Sequence, residues 1–443
     1  MNKSILAKVL FYLIGIITVA SYSFYNGFPF INGDTSSYIN AAWEDTVPFE
    51  RPVFYGWFLK ITSLGYSLWI SILAQCLICF IVVKKSIEKF SQVKDYKAIF
   101  LATVLALLLT HLGWEANKLL PDVFAGLSVL LILLFLESKS IYSWFYLIAV
   151  ILLGTFHNSH FVLFALLAVI GLLLNIRLPN YSRLRLLALL GCSIASYSLV
   201  SLTNYIDHGE WQLGRSSEVF MVGQMAESGI LQTILNDECE DADLALCKYK
   251  DSLPNRGWKY VSNGNSPVAK LGGWGAMEKE HKKILRIAYG TPKYWPALVT
   301  SSVIRGLTTC FQLEVGDGIF RYETSSNIQQ SIKKYYSNDS PAAQWNKQTI
   351  LTIPFQFFTI WHLVVLVTLT VCSLYFWYMN RLTQKQLERL VFCLIAIVLN
   401  GWTVAQFANV ADRLNTRIFW ILPFIMILTI WEAIRHNRLP REV

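Results

Sequence analysis

Ile31-Asn32-Gly33-Asp34-Thr35-Ser36-Ser37-Tyr38 interrupts the largely apolar N-terminal half of this chain. A hydrophobic run at 5–24 precedes it. Ahead of the next run, at 65–83, comes Phe49-Glu50-Arg51-Pro52-Val53-Phe54-Tyr55-Gly56-Trp57-Phe58-Leu59. The 26–60 segment therefore gathers Asp34, Glu44, Asp45, Glu50 and Arg51 beside an aromatic-rich stretch. Whether it opens a soluble domain or joins two membrane spans decides the fold. Of the 443 residues, 54% are hydrophobic and only 15% charged, and several further runs approach membrane-spanning length, so the loop reading holds.

Working outward, spans are expected at about 5–24, 65–83, 98–113, 120–136, 143–156, 161–174, 186–203, 355–378, 390–407 and 418–434. Each is expected to be helical, because lipid offers no partner to an unpaired backbone. The fold class is an all-α polytopic membrane protein of about ten transmembrane helices. The two stretches flanking His157-Asn158-Ser159-His160 are short enough to be re-entrant instead. The first run resembles a signal peptide but lacks a small-residue cleavage pattern, so it is kept as a helix.

The net charge of +9 would point to nucleic acid in a soluble chain. Here the basic residues crowd the connections of one side, among them Lys84, Lys85, Lys89, Lys94, Lys97, Arg183, Arg185, Lys385, Arg389 and Arg435. The short connections of the other side hold Arg51, Lys60, Lys118, Arg413 and Arg417. That asymmetry reports orientation, with both termini cytoplasmic, and excludes a nucleic-acid partner. Three parts follow: an N-terminal transmembrane module at 1–203 with the 26–60 loop, a polar extracytoplasmic, mainly helical domain at 204–352, and a C-terminal transmembrane module at 353–443. Cys239 and Cys247 can close a disulfide loop in an oxidising compartment, contributing roughly 2–3 kcal/mol.

Four polar groups fall on the outer side. They are Asp34 with Tyr38, Glu44, Glu50 and Arg51; His111, Glu115, Lys118 and Asp122; His157 and His160; and Asp412, Arg413 and Arg417. Charge at such depth is costly and usually has a use. Asp34 reads either as the N-cap of a surface helix or as a general base. Glu50 and Arg51 form a local ion pair or contact a ligand. Lys118, Arg413 and Arg417 either snorkel to headgroups or neutralise a phosphate. Spacings 111/115 and 118/122 would each put two side chains on one helix face. His157 and His160 read as a polar helix–helix turn or as two imidazole metal ligands. No convincing metal-ligand set is present.

Gly33-Asp34-Thr35-Ser36-Ser37-Tyr38 followed by Arg51-Pro52-Val53-Phe54-Tyr55-Gly56-Trp57-Phe58-Leu59 resembles the first outer loop of the GT-C superfamily of membrane glycosyltransferases. That group includes dolichyl-phosphate-mannose-protein mannosyltransferase-like enzymes and bacterial transferases that add aminoarabinose to lipid A. Leu120-Pro121-Asp122, and Asp412-Arg413 through Pro423, sit where the group often has a Pro-acidic turn and an Arg before a Pro-containing span. The resemblance implies an inverting transferase in the bacterial inner membrane. Its donor would be a polyprenyl-phosphate-linked sugar, and its acceptor an extracytoplasmic glycan, lipid or protein. Asp34 would act as base, with Glu50 and Arg51 beside it. Arg51, Lys118, Arg413 or Arg417 would neutralise the leaving phosphate, and the second carboxylate falls to Glu44, Glu50, Glu115 or Asp122. Tyr55, Trp57, Trp43 and Trp114 would stack on sugars. Some members use a divalent cation. On this reading Asp34 and at least one of Lys118, Arg413 and Arg417 share a vestibule open to water and lipid. The competing classes are an envelope polysaccharide polymerase or ligase, leaning on Arg215, Arg256, Arg286, Arg305 and Arg321; a transporter or flippase, which calls for broken helices at mid-membrane depth; and a non-catalytic scaffold.

Overall fold

Leu, Ile, Val and Phe fill the apolar runs so fully that helix is the one conformation that pairs the backbone within each segment. Every run read above as a span falls on a helix in the computed structural model, which describes residues 3–44, 46–175, 181–319, 326–339 and 354–436. Asp45 and Arg321 lie outside the described residues. Among the described residues, six helices are long and apolar enough to cross a membrane: Leu68–Phe90, Asn158–Asn175, Arg183–His208, Phe355–Tyr378, Gln384–Phe407 and Asp412–Arg435. Ile5–Val19, Tyr96–Leu109, Val123–Glu137 and Ile141–Gly154 are apolar but shorter. Among the described residues there is no strand, only two isolated β-bridges.

Val123–Glu137 is the hub. All of it from Val123 to Leu136 is buried, so its side chains meet neighbours on every face. One apolar core runs from Phe11 through Cys192 and on to Leu428. The modules at 1–203 and 353–443 are therefore packed as a single body. At the hub's far end Arg389 Nε and Nη2 donate to the two oxygens of Glu137 (2.7 and 2.8 Å), and Nη1 donates to Phe90 O (3.2 Å), tying three helices together.

Two boundaries differ from expectation. The run at 5–24 splits into Lys3–Val19 and Ser21–Asn26, which ends at Gly27 in the left-handed region (φ 77°). The 204–352 region is not one unit. The helix Arg183–His208 runs past 203, and Leu313, Ile328, Ile332 and Tyr336 join the core of the membrane body. A separate small core is left, built from Val222, Leu231, Ile234, Leu246, Tyr260 and Ile284 among others. Its helices include Ser217–Glu227, Ile230–Glu238 and Gly273–Gly290, and the Cys239–Cys247 disulfide is present within it.

That small core holds a pH-sensitive contact. His281 is buried with Nε2 2.9 Å from the Tyr260 hydroxyl, and burial lowers the imidazole pKa to about 4. The unfolded chain binds a proton near pH 6.5 that the folded one refuses. Stability contributed here is thus complete above about 6.5 and is lost as pH falls towards 4, by roughly 3 kcal/mol. Melting temperature in detergent should fall across that window, and His281→Asn should flatten the slope. An unchanged slope would mean that His281 takes up its proton alike in the folded and unfolded chain.

Candidate functional site

Asn32 sets the geometry. Its Oδ1 accepts the Asp34 N–H (3.0 Å) and its own N–H donates to Thr35 Oγ1 (2.9 Å), an Asx turn of the kind Asn and Asp favour. Helix Thr35–Trp43 starts here, yet the Asp34 carboxylate makes no capping bond. It points instead between two guanidinium groups. Arg51 Nη2 lies 2.9 Å from Oδ1, and Arg413 Nη2 lies 2.5 Å from Oδ2. Arg413 Nη1 also donates to Asn32 Oδ1 (2.8 Å). Residues at opposite ends of the sequence thus meet on one carboxylate.

Each arginine is held from behind. Arg51 lies over the Tyr38 ring (4.9 Å) and 3.5 Å from Glu50, whose Oε1 accepts from Ser37 Oγ (2.8 Å). Arg413 opens the helix Asp412–Phe419, and its N–H donates to Asp317 Oδ2 (3.0 Å). Gly318 closes the arrangement from the 311–319 segment: its carbonyl accepts from Asn32 Nδ2, and its φ of +70° suits glycine. A Cβ at Gly318 would lie 2.3 Å from Asn32 Nδ2 and 3.1 Å from Arg413 Cδ. Gly318→Val should therefore displace both groups and cut any activity of this site at least about tenfold, while the left-handed strain costs about 1–2 kcal/mol in stability. Activity close to wild type in a folded Gly318→Val protein would show that Asn32 and Arg413 need not be held in place.

Behind this pair lies a buried tier. Lys118 Nζ sits 2.8 Å from Glu115 Oε1, which also accepts from Thr416 Oγ1 (2.9 Å). The expected 118/122 helix face does not form, because the helix ends at Ala116 and residues 117–119 pair with Phe30. Asp122 instead faces Arg417 (3.8 Å), whose Nη2 donates to Ser159 Oγ (2.8 Å) and Asn400 Oδ1 (2.9 Å). His157 Nδ1 lies 2.8 Å from Ser159 Oγ, and His160 Nδ1 lies 2.9 Å from Leu153 O. The two rings face Arg417 rather than a carboxylate cluster, and no group of three or more metal-type side chains occurs among the described residues.

Other expected residues fall elsewhere. Tyr55 is fully buried, donates to Gln75 Oε1 (3.1 Å) and packs on Tyr38, Phe58 and Phe156, so no ring face is left for a sugar. Trp114 is buried, and Trp43 stacks on Tyr335. Glu44 lies beyond the far end of helix Thr35–Trp43, towards Lys334, about 15 Å along the axis from Asp34. Lys118 and Arg417 are closed off from solvent, whereas the side chains of Asp34, Arg51 and Arg413 retain 27%, 15% and 21% exposure. A cavity of about 260 Å³ lies at the other end of the bundle, lined by Leu136, Leu174, Gln384 and Val391. Arg215 faces Glu278 (3.7 Å) and Arg305 faces Glu227 (3.3 Å), so neither is an unpaired anion receptor. Asn32, Ser159, Asp317, Gly318, Asn400 and Thr416 complete the constellation without having been singled out. Asn32, in an Asn-Gly-Asp turn, carried the one local signal.

Burial raises the Asp34 carboxyl, but Arg413 and Arg51 outweigh that effect and hold it well below the usual carboxylate range. His157 is kept neutral, first by burial and then by Arg417. With Glu50 3.5 Å from Arg51, the two guanidinium groups are balanced by two carboxylates at this partly exposed surface. No family model matches this chain, and no curated protein or solved structure is significantly similar to it.

Proposed function

We propose that this chain is an integral-membrane glycosyltransferase that moves a sugar from a polyprenyl-phosphate donor to an extracytoplasmic glycan, lipid or protein. In this reading all ten apolar helices are embedded in a bacterial inner membrane, both termini are cytoplasmic, and the 217–294 domain stands on the far side. The observation that supports it most is the clamp of Arg51 and Arg413 on Asp34, half open and built where the first outer loop meets the last span.

The chemistry follows from competition for the same N–H groups. Clamped by two cations, Asp34 is a poor base. A donor phosphodiester presents two non-bridging oxygens and one negative charge, the same pattern as the carboxylate, so it can exchange for Asp34 in the bidentate geometry the guanidinium groups favour. As they turn to the phosphate, Asp34 is released and regains basicity. The carboxylate then takes the proton of the acceptor hydroxyl while that oxygen bonds to the anomeric carbon. The bond from that carbon to the phosphate oxygen breaks, and the electron pair leaves on the lipid phosphate beside Arg51 and Arg413. Base and leaving-group stabiliser are thus coupled, so that the base is exposed when donor is present.

The test uses detergent-purified protein, a panel of polyprenyl-phosphate sugars and candidate acceptors, with release of polyprenyl phosphate as readout. Turnover of at least one donor is expected. No turnover of any donor under conditions where the protein is folded would overturn the reading in favour of transport or scaffolding.

A further inference from the structure

We infer that Trp295–Ile319 is a re-entrant segment, a helix that dips into the leaflet on the Asp34 side with its apolar stripe against lipid hydrocarbon, followed by an irregular return at membrane depth. The inference rests on Gln384–Phe407 being a span and not on the enzymatic reading, so absence of turnover would leave it standing.

The helix Trp295–Cys310 carries one charged residue, Arg305. That side chain turns inward to Glu227 (3.3 Å) and Ala405 O (3.4 Å). The helix lies directly on the Gln384–Phe407 span. A Cβ on Gly306 would be 3.2 Å from Trp402 Cα, and one on Gly401 would be 3.0 Å from Gly306 O, the backbone-to-backbone approach that small residues permit between helices in membranes. Arg305 sits beside Ala405, while Cys310 sits beside Gly401. The two helices are therefore antiparallel, and Cys310 reaches a level about 9 Å inside the end of the span at Phe407.

Among the described residues the outward stripe has no protein partner. Val299, Val303, Ile304, Leu307 and Phe311 recur at spacings of three, four and seven and are 62%, 50%, 58%, 52% and 80% exposed. Water does not tolerate such a patch. Val398 and Leu394, three and seven residues before Gly401 and so on the face of the span that meets this helix, are exposed as well; lipid that covers them adjoins the helix tip. At about 24 Å the helix is too short to cross the hydrocarbon core of about 30 Å, which makes it a partial entry.

The return segment behaves as irregular backbone in lipid must, taking its partners from protein. Asn415 Nδ2 donates to Cys310 O and Gln312 O (both 3.0 Å), and Leu313 O pairs with His111 Nε2 (3.1 Å). The Glu314 N–H donates to Asp412 Oδ1 (2.7 Å) and the Val315 N–H to Thr359 Oγ1 (2.9 Å). This return delivers Asp317 and Gly318 to Arg413 and Asn32, so the site lies alongside lipid rather than in bulk water.

Wild-type protein reconstituted in lipid bilayers would be labelled by a hydrocarbon-soluble diazirine probe and the adducts mapped by peptide mass spectrometry. Adducts at Val299, Val303, Ile304, Leu307 and Phe311 are expected at a density similar to that at Leu394 and Val398, with none at the exposed Trp258 of the outer domain. Labelling of Leu394 and Val398 without labelling of the 299–311 stripe would overturn the inference. So would labelling of the 299–311 stripe no denser than that of Trp258 while Leu394 and Val398 label strongly, since the stripe would then meet water as that indole does. Photocrosslinking residues placed at Val303 and Phe311 give a second reading: a lipid adduct supports the inference, and a crosslink to a second copy of the chain overturns it.

Discussion

Exchange of Asp34 for Asn is expected to lower donor turnover by about 10²–10⁴-fold, the usual contribution of a positioned general base. The signature lies in how the loss divides. Asparagine keeps the shape but removes the negative charge that competes with the donor for Arg51 and Arg413. Donor KM should therefore stay level or fall while kcat collapses. Arg51→Ala and Arg413→Ala should do the reverse in part, raising KM and lowering kcat, because each removes charge that the phosphate meets both on arrival and on departure. Since the two arginines share one carboxylate, the double variant should cost less than the sum of the singles. Asp34→Asn turnover within about threefold of wild type would move the base to Glu50 or Glu115 without touching the class of reaction.

Arg417→Leu is expected to destabilise the protein by about 3–5 kcal/mol, the cost of breaking one side of a buried ion pair. Arg417 has no exposed surface, and its guanidinium joins Ser159 and Asn400 while facing Asp122 at 3.8 Å. Removing it strands a carboxylate in the interior beside the hub helix. Thermal unfolding in detergent measures the loss. Arg417→Lys should recover little, because an ammonium group cannot span Ser159, Asn400 and Asp122 with one planar fork. Asp122→Asn added to Arg417→Leu should recover part, since the stranded charge is then gone. A melting temperature that hardly moves in Arg417→Leu would mean that the pairing of Arg417 with Asp122, Ser159 and Asn400 contributes little to stability.

Much of the site was legible in one dimension, and for a plain reason. In a chain this apolar, each charge between the hydrophobic runs carries a large desolvation cost, so a cluster such as Asp34, Glu50 and Arg51 stands out against the background. The same economy singled out Glu115, Lys118, Asp122, Arg413 and Arg417. Partner choice was not legible. Residue spacing suggested Lys118 with Asp122, but the helix stops at Ala116 and Lys118 turns back to Glu115. Tyr55 had the right chemistry for a sugar contact and the wrong address, inside an aromatic cluster. Neutral polar residues such as Ser159, Asn400 and Thr416 carry no signal in sequence, because they are common in helices and gain meaning through the charge they face.

Hydrophobic runs by themselves determined the helical class, the positions of the apolar helices and the scarcity of charge, because those follow from local composition and backbone pairing. The tertiary structure alone decided that Asp34 lies between Arg51 and Arg413, that 1–203 and 353–443 share one core, and that 295–319 leaves the polar domain to pack on a span. Those contacts join residues up to 379 positions apart, and no local periodicity encodes which of many similar helices meet. That choice belongs to packing and to the pairing of buried charges over the whole chain.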